Sequence, residues 1–114
     1  MAKKKLPDPL RRRHLVEQEL DSARALQIAE AYLEEGRTVE ALAFLVKADA
    51  LEQLDALREQ AVAEGDAFLL REISVALAKE FSPATWRELA RAAEAAGKER
   101  YAAEASRQAG RLEG

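Results

Sequence analysis

Three glycines, Gly36, Gly65 and Gly97, stand 29 and 32 residues apart, and each closes a stretch rich in alanine and leucine. Glycine enters the left-handed backbone conformation without steric cost, so glycines placed this way mark helix ends. Alanine occurs 25 times and leucine 16 times in 114 residues, and β-branched residues are few. That mix favours helix, because alanine and leucine lose little side-chain entropy there. No alternating stretch of strand length is present. The expected fold class is all-α, with about seven helices.

Punctuation between the glycines gives the helix limits. Asp8-Pro9 reads as a cap followed by proline at the first helical position, opening a helix to about Leu20. Asp21 or Ser22 can cap a second helix, yet nothing between Leu20 and Ala23 forces a break, so residues 8–35 fit one bent helix or two. Thr38 can cap Val39 to about Lys47. Asp49 and Glu52 have the spacing of a capping box for a helix that ends at Gly65. Asp66 caps Ala67 to about Glu80. Ser82-Pro83 opens the next helix, with Phe81 and Trp86 at the two positions of a hydrophobic staple. Gly97 closes it, and Lys98 to about Arg111 forms the last.

The regular glycine spacing calls for a repeat test. Eight residues before each glycine stand Ile28, Leu57 and Leu89, and four before stand Tyr32, Ala61 and Ala93. Five after come Ala41, Leu70 and Ala102, and twelve after come Ala48, Leu77 and Ala109. All twelve are apolar. The agreement breaks nine after, where Leu45 gives way to Ser74 and Ser106. With Trp86, Leu89, Gly97, Ala102 and Ala109 in the third unit and Tyr32, Gly36, Ala41 and Ala48 in the first, the pattern resembles the tetratricopeptide-repeat family and its looser α-solenoid relatives. The second unit has bulkier Leu70 and Leu77 where that family prefers alanine. The resemblance covers about residues 22–112 and implies a right-handed stack of helical hairpins, at about 22–48, 50–80 and 83–111. A capping helix at about 8–20 would precede them, giving one helical domain over residues 8–112 behind a basic arm, residues 1–7.

Stacked hairpins bury what a single hairpin exposes. The dense runs Leu42–Val46 and Phe68–Leu70 suit helices contacted on more than one side. Tyr32, Phe44, Phe68, Trp86 and Tyr101 are expected in the core. The last helix, with the stripe Tyr101, Ala102, Ala105, Ala109 and Leu112 and a polar opposite face, suits an end cap.

Charge divides unevenly. Residues 1–14 hold Lys3, Lys4, Lys5, Arg11, Arg12 and Arg13 against Asp8, whereas residues 15–114 hold twelve Lys/Arg against twenty Asp/Glu. Only the basic segment is suited to polyphosphates or acidic surfaces. No apolar stretch follows Lys5 as in a secretory leader, and the longest apolar run, Ala41–Val46, is far short of a membrane helix at about 20 residues. A cytoplasmic protein without membrane contact is expected.

No catalytic constellation emerges. The chain has no cysteine and a single histidine, His14, which lies beside Arg11–Arg13. One histidine cannot make a specific zinc site, and neither a calcium loop nor a phosphate-binding glycine loop is present. No serine sits in a nucleophile motif. The expectation is a non-enzymatic chain with no cofactor and no metal.

What remains is surface. The family resemblance implies a concave groove lined by the first helix of each hairpin, holding an extended or helical peptide. Its lining would fall ten, six and three residues before each glycine: Leu26, Glu30 and Leu33; Asp55, Glu59 and Val62; Arg87, Arg91 and Glu94. Arg87 and Arg91 would take carboxylates of the peptide, Asp55 and Glu59 its basic residues, and Leu26 and Leu33 its apolar ones. Two competing readings stay open. The basic residues Lys3, Lys4, Lys5, Arg11, Arg12 and Arg13 can neutralise nucleic-acid phosphates, and the alanine stripe of the last helix can pair with a second copy across a two-fold axis.

Overall fold

The computed structural model describes residues 6–17 and 20–114, apart from the Glu17 side chain. Among them the secondary structure is wholly α-helical. The seven helices are α1 (Pro9–Glu17), α2 (Ser22–Glu34), α3 (Thr38–Lys47), α4 (Leu51–Glu64), α5 (Ala67–Leu77), α6 (Pro83–Ala95) and α7 (Glu99–Glu113). No described helix is long and apolar enough to cross a membrane. The described residues gather into two compact units, one ending at Leu54 and the other Asp55–Gly114.

In the first unit α1 and α2 are separate helices. Leu20 and Asp21 are non-helical, and the Asp21 carboxylate accepts the Arg24 N–H at 2.8 Å, a cap that satisfies an otherwise orphaned donor. Helix α2 packs on α3. Ala25, Ala29 and Tyr32 recur at four and three residues on α2, one helical face, and they are buried together with Ala41, Phe44 and Leu45 of α3. Tyr32, Phe44 and Leu45 are fully buried, and burial of apolar side chains such as Phe44 and Leu45 contributes about 1.5–3 kcal/mol each. The Tyr32 and Phe44 rings stack at 5.8 Å with 15° between planes.

Two expected caps shift in register. Thr38 is the first residue of α3, and the cap position belongs to Arg37, whose side chain makes no capping bond. Arg37 instead binds Glu40, its Nε donating to Oε1 at 2.7 Å. Asp49 does not open a capping box. Its φ of +54° places it in the left-handed conformation that ends α3, where the Ala50 N–H reaches back to the Leu45 carbonyl at 3.0 Å. Ala50 then stands in the cap position of α4, its carbonyl accepting from Leu54 at 3.0 Å.

In the second unit the expected caps of α5 and α6 are present. Asp66 accepts the Leu69 N–H at 3.0 Å, and Ser82 Oγ accepts the Thr85 N–H at 3.2 Å with Pro83 in the first turn. Helix α7 packs along α6 and also touches α5. Ala93, Ala105 and Ala109 are buried on the facing helices beside Leu89 and Trp86, and side chains this small let helix backbones approach closely. Helix α5 stops at Leu77 rather than Glu80. Ala78 turns left-handed at φ +51°, and Ser74 Oγ donates to the Lys79 carbonyl at 2.6 Å.

Candidate functional site

The nine residues expected to line a peptide groove belong to both units. In the first, Glu30 is exposed on α2, while Leu26 and Leu33 are half-buried. In the second, Asp55 and Glu59 are exposed on α4, and Arg87, Arg91 and Glu94 on α6. Val62 is a correction. It is 6 % exposed and belongs to the core beside Ala61, whereas Leu33 and Glu94, at the same distance before their glycines, are half-buried and exposed.

Several of the exposed charges are already matched. Arg58 binds Asp55 at 2.9 Å and approaches Glu59 at 3.7 Å. The Arg87 guanidinium pairs with the Glu113 carboxylate at the end of α7. Arg91, one turn further along α6, has no ion-pair partner among the described residues. Exposed pairs of this kind each contribute between zero and about 1 kcal/mol, so an external ligand can exchange with them at little cost.

The basic segment divides as well. Lys3, Lys4 and Lys5 lie outside the described residues. Arg11, Arg13 and His14 are exposed and, with Asp8 and Leu10, line a depression of about 530 Å³. Arg12 turns the other way. It is half-buried, its Nη2 donates to the Glu40 carbonyl at 2.8 Å, and its guanidinium lies 5.5 Å from the Tyr32 ring centroid. It is therefore withdrawn from the set that could meet phosphates.

Sequence patterning missed part of the surface. Phe68 and Tyr101, expected in the core, are exposed, Phe68 by 52 %, and so is Val75 by 68 %. Helix α5 turns Leu69, Leu70 and Ile73 inward, and Phe68 stands one residue, or about 100°, before that face. Phe68 and Val75 are seven apart and share the outer face. Trp86, by contrast, is buried as expected.

Titration follows the local charges. The bond from Arg37 holds the Glu40 carboxyl below the usual carboxylate range, and bonds from Arg107 and Gln108 do the same for Glu104. Burial raises the Tyr32 phenol, against the opposing charges of Arg12 and Arg37. Among the described residues, His, Asp and Glu side chains nowhere gather in threes as metal ligands would. Compared with known families, curated proteins and solved structures, the chain matches none.

Proposed function

We propose that this chain is a non-enzymatic protein-interaction module acting in the cytoplasm, in the manner of the tetratricopeptide-repeat proteins its glycine register resembles. Its ligand is a peptide or helical segment of another protein that presents carboxylates to Arg87 and Arg91 and basic residues to Asp55 and Glu59. One observation carries the reading. Arg87 already holds a carboxylate, that of Glu113, while its neighbour Arg91 on the same helix face stands exposed without one. Arginine at such spacing offers planar, two-pronged donors suited to carboxylate groups.

The test begins with capture from lysate on the full-length chain, with and without nuclease, followed by identification of the captured protein. Affinity for that protein is then measured for wild type and for Arg87→Glu/Arg91→Glu. The expected result is at least about a tenfold loss for the double reversal, since each desolvated charge contact at an interface costs a few kcal/mol to break. Unchanged affinity would overturn the assignment. Capture that disappears with nuclease would move the function to the basic segment and nucleic acid.

A further inference from the structure

The α2–α3 hairpin encloses a guanidinium that reaches it from another helix. Arg12 of α1 lies over two rings at once, 5.5 Å from the Tyr32 centroid and 5.6 Å from that of Phe44. The rings are themselves stacked, and Arg12 shares this aromatic wall with Arg37, whose guanidinium lies 5.1 Å from the Tyr32 centroid. Arg12 Nη2 donates to the Glu40 backbone carbonyl at 2.8 Å. The Glu40 carboxylate, kept charged by Arg37, also feels the charge of Arg12. Aromatic faces, a carbonyl acceptor and a nearby carboxylate are the parts that recognise a planar cation, and a lysine ammonium could not lie flat against the same wall.

The present occupant fills the pocket imperfectly. Arg12 Nε is buried without a hydrogen-bond partner, and Tyr32 Oη, also buried, meets the Arg12 side chain only outside ordinary hydrogen-bond geometry. Tyr32 is fully buried, so its hydroxyl is a fixed feature of the pocket. On the rest of α1, Leu15 is buried and Val16 half-buried, whereas Leu10 is 79 % exposed.

From these observations we infer that the α2–α3 hairpin is a receptor for an arginine side chain presented on a helix, filled within the chain by Arg12 and open to an arginine of a binding partner when α1 is displaced. An incoming arginine that meets Tyr32 Oη in line completes in good geometry the bond that Arg12 makes poorly. The receptor does not depend on the α4 and α6 charges, and the two sites fail or stand separately.

Full-length Arg12→Ala is melted against increasing methylguanidinium chloride, with methylammonium chloride and sodium chloride as controls. A rise of about 3–5 °C, growing with the logarithm of concentration, is expected with methylguanidinium alone, in the range a ligand at a few times its Kd confers on a domain this size. Wild type, with the pocket filled, shows no such rise. Should Arg12→Ala melt without a cooperative transition, Arg12→Gln keeps the stem of the side chain and is titrated the same way, with recovered cooperativity as the expected result. A peptide of residues 6–17 is then bound to the variant, and Ala in place of its Arg12 should weaken it about tenfold, one bidentate or stacked cation contact. An equal response to methylammonium, no response in either variant, or equal binding of the two peptides would overturn the inference.

Discussion

Gly65 and Gly97 occupy matching places in sequence and nearly the same backbone conformation, φ +68° and +76°, yet they carry different loads. A Cβ on Gly65 would lie 2.5 Å from the backbone N and Cα of Ala93, whereas a Cβ on Gly97 would meet nothing within 4 Å. At Gly97 the glycine serves only the left-handed turn between α6 and α7. At Gly65 it also lets the α4–α5 corner press against the backbone of α6, and the Lys98 Nζ bond to the Glu64 carbonyl at 2.7 Å ties the same corner to the turn before α7. One residue type, read identically along the chain, is a hinge of the backbone in one place and a packing contact in the other.

The widest separation between the two corners comes from alanine substitution. Gly65→Ala should cost about 3 kcal/mol or more, since backbone atoms cannot yield as a flexible side chain can and the left-handed strain adds to the clash. Gly97→Ala should cost only that strain, about 1 kcal/mol. Denaturant melts of both variants check this, and equal losses would show that α6 gives way at Ala93. A converse test uses Ala78, which adopts φ +51° without glycine's freedom. Ala78→Gly should gain about 0.5–1 kcal/mol, partly offset by greater freedom in the unfolded chain. A loss there would mean that the Ser74–Lys79 bond, and not the backbone, governs the end of α5.

The smallest effect contrasts a corner held by packing with one held by charge. After Gly36, the Arg37–Glu40 pair braces the start of α3. Because the folded carboxyl of Glu40 titrates below its unfolded value, its contribution is present above the unfolded pKa, about 4.3, and is lost as pH falls through the folded one. Melting temperature should therefore decline on acidification below the carboxylate range, and Glu40→Gln should flatten part of that decline. Both groups are substantially exposed, so the slope is shallow. An identical acid limb in the variant would assign the decline to other carboxylates, Glu104 first.

Much of this architecture is legible in residue spacing. The residues four before each glycine, Tyr32, Ala61 and Ala93, are all fully buried. After the glycine the buried face runs one residue earlier than that pattern. Leu45, Ser74 and Ser106 break the pattern nine residues on, while Phe44, Ile73 and Ala105, eight residues on, are each fully buried. A side chain is buried by what faces it, and a shift of one residue turns a helix face by about 100°. The same rotation exposes Phe68 and hides Val62. Among the candidate site residues, exposure of Glu30, Asp55, Glu59, Arg87, Arg91 and Glu94 follows from their charge, but no spacing rule could announce that Glu113 would reach Arg87.

The sequence by itself determined the helical class, the left-handed glycine corners and the caps at Asp66 and Ser82, because each depends on backbone and side chain within a few residues of one another; the choice of Asp21 over Ser22 as the cap of α2 came with the structure. The tertiary structure alone decided that Gly65 must be glycine for space as well as for turn, and that Arg12 leaves the basic segment to lie against Tyr32 and Phe44. Both are contacts between residues 20 or more apart in the chain, and such contacts are set by how helices meet rather than by any local preference.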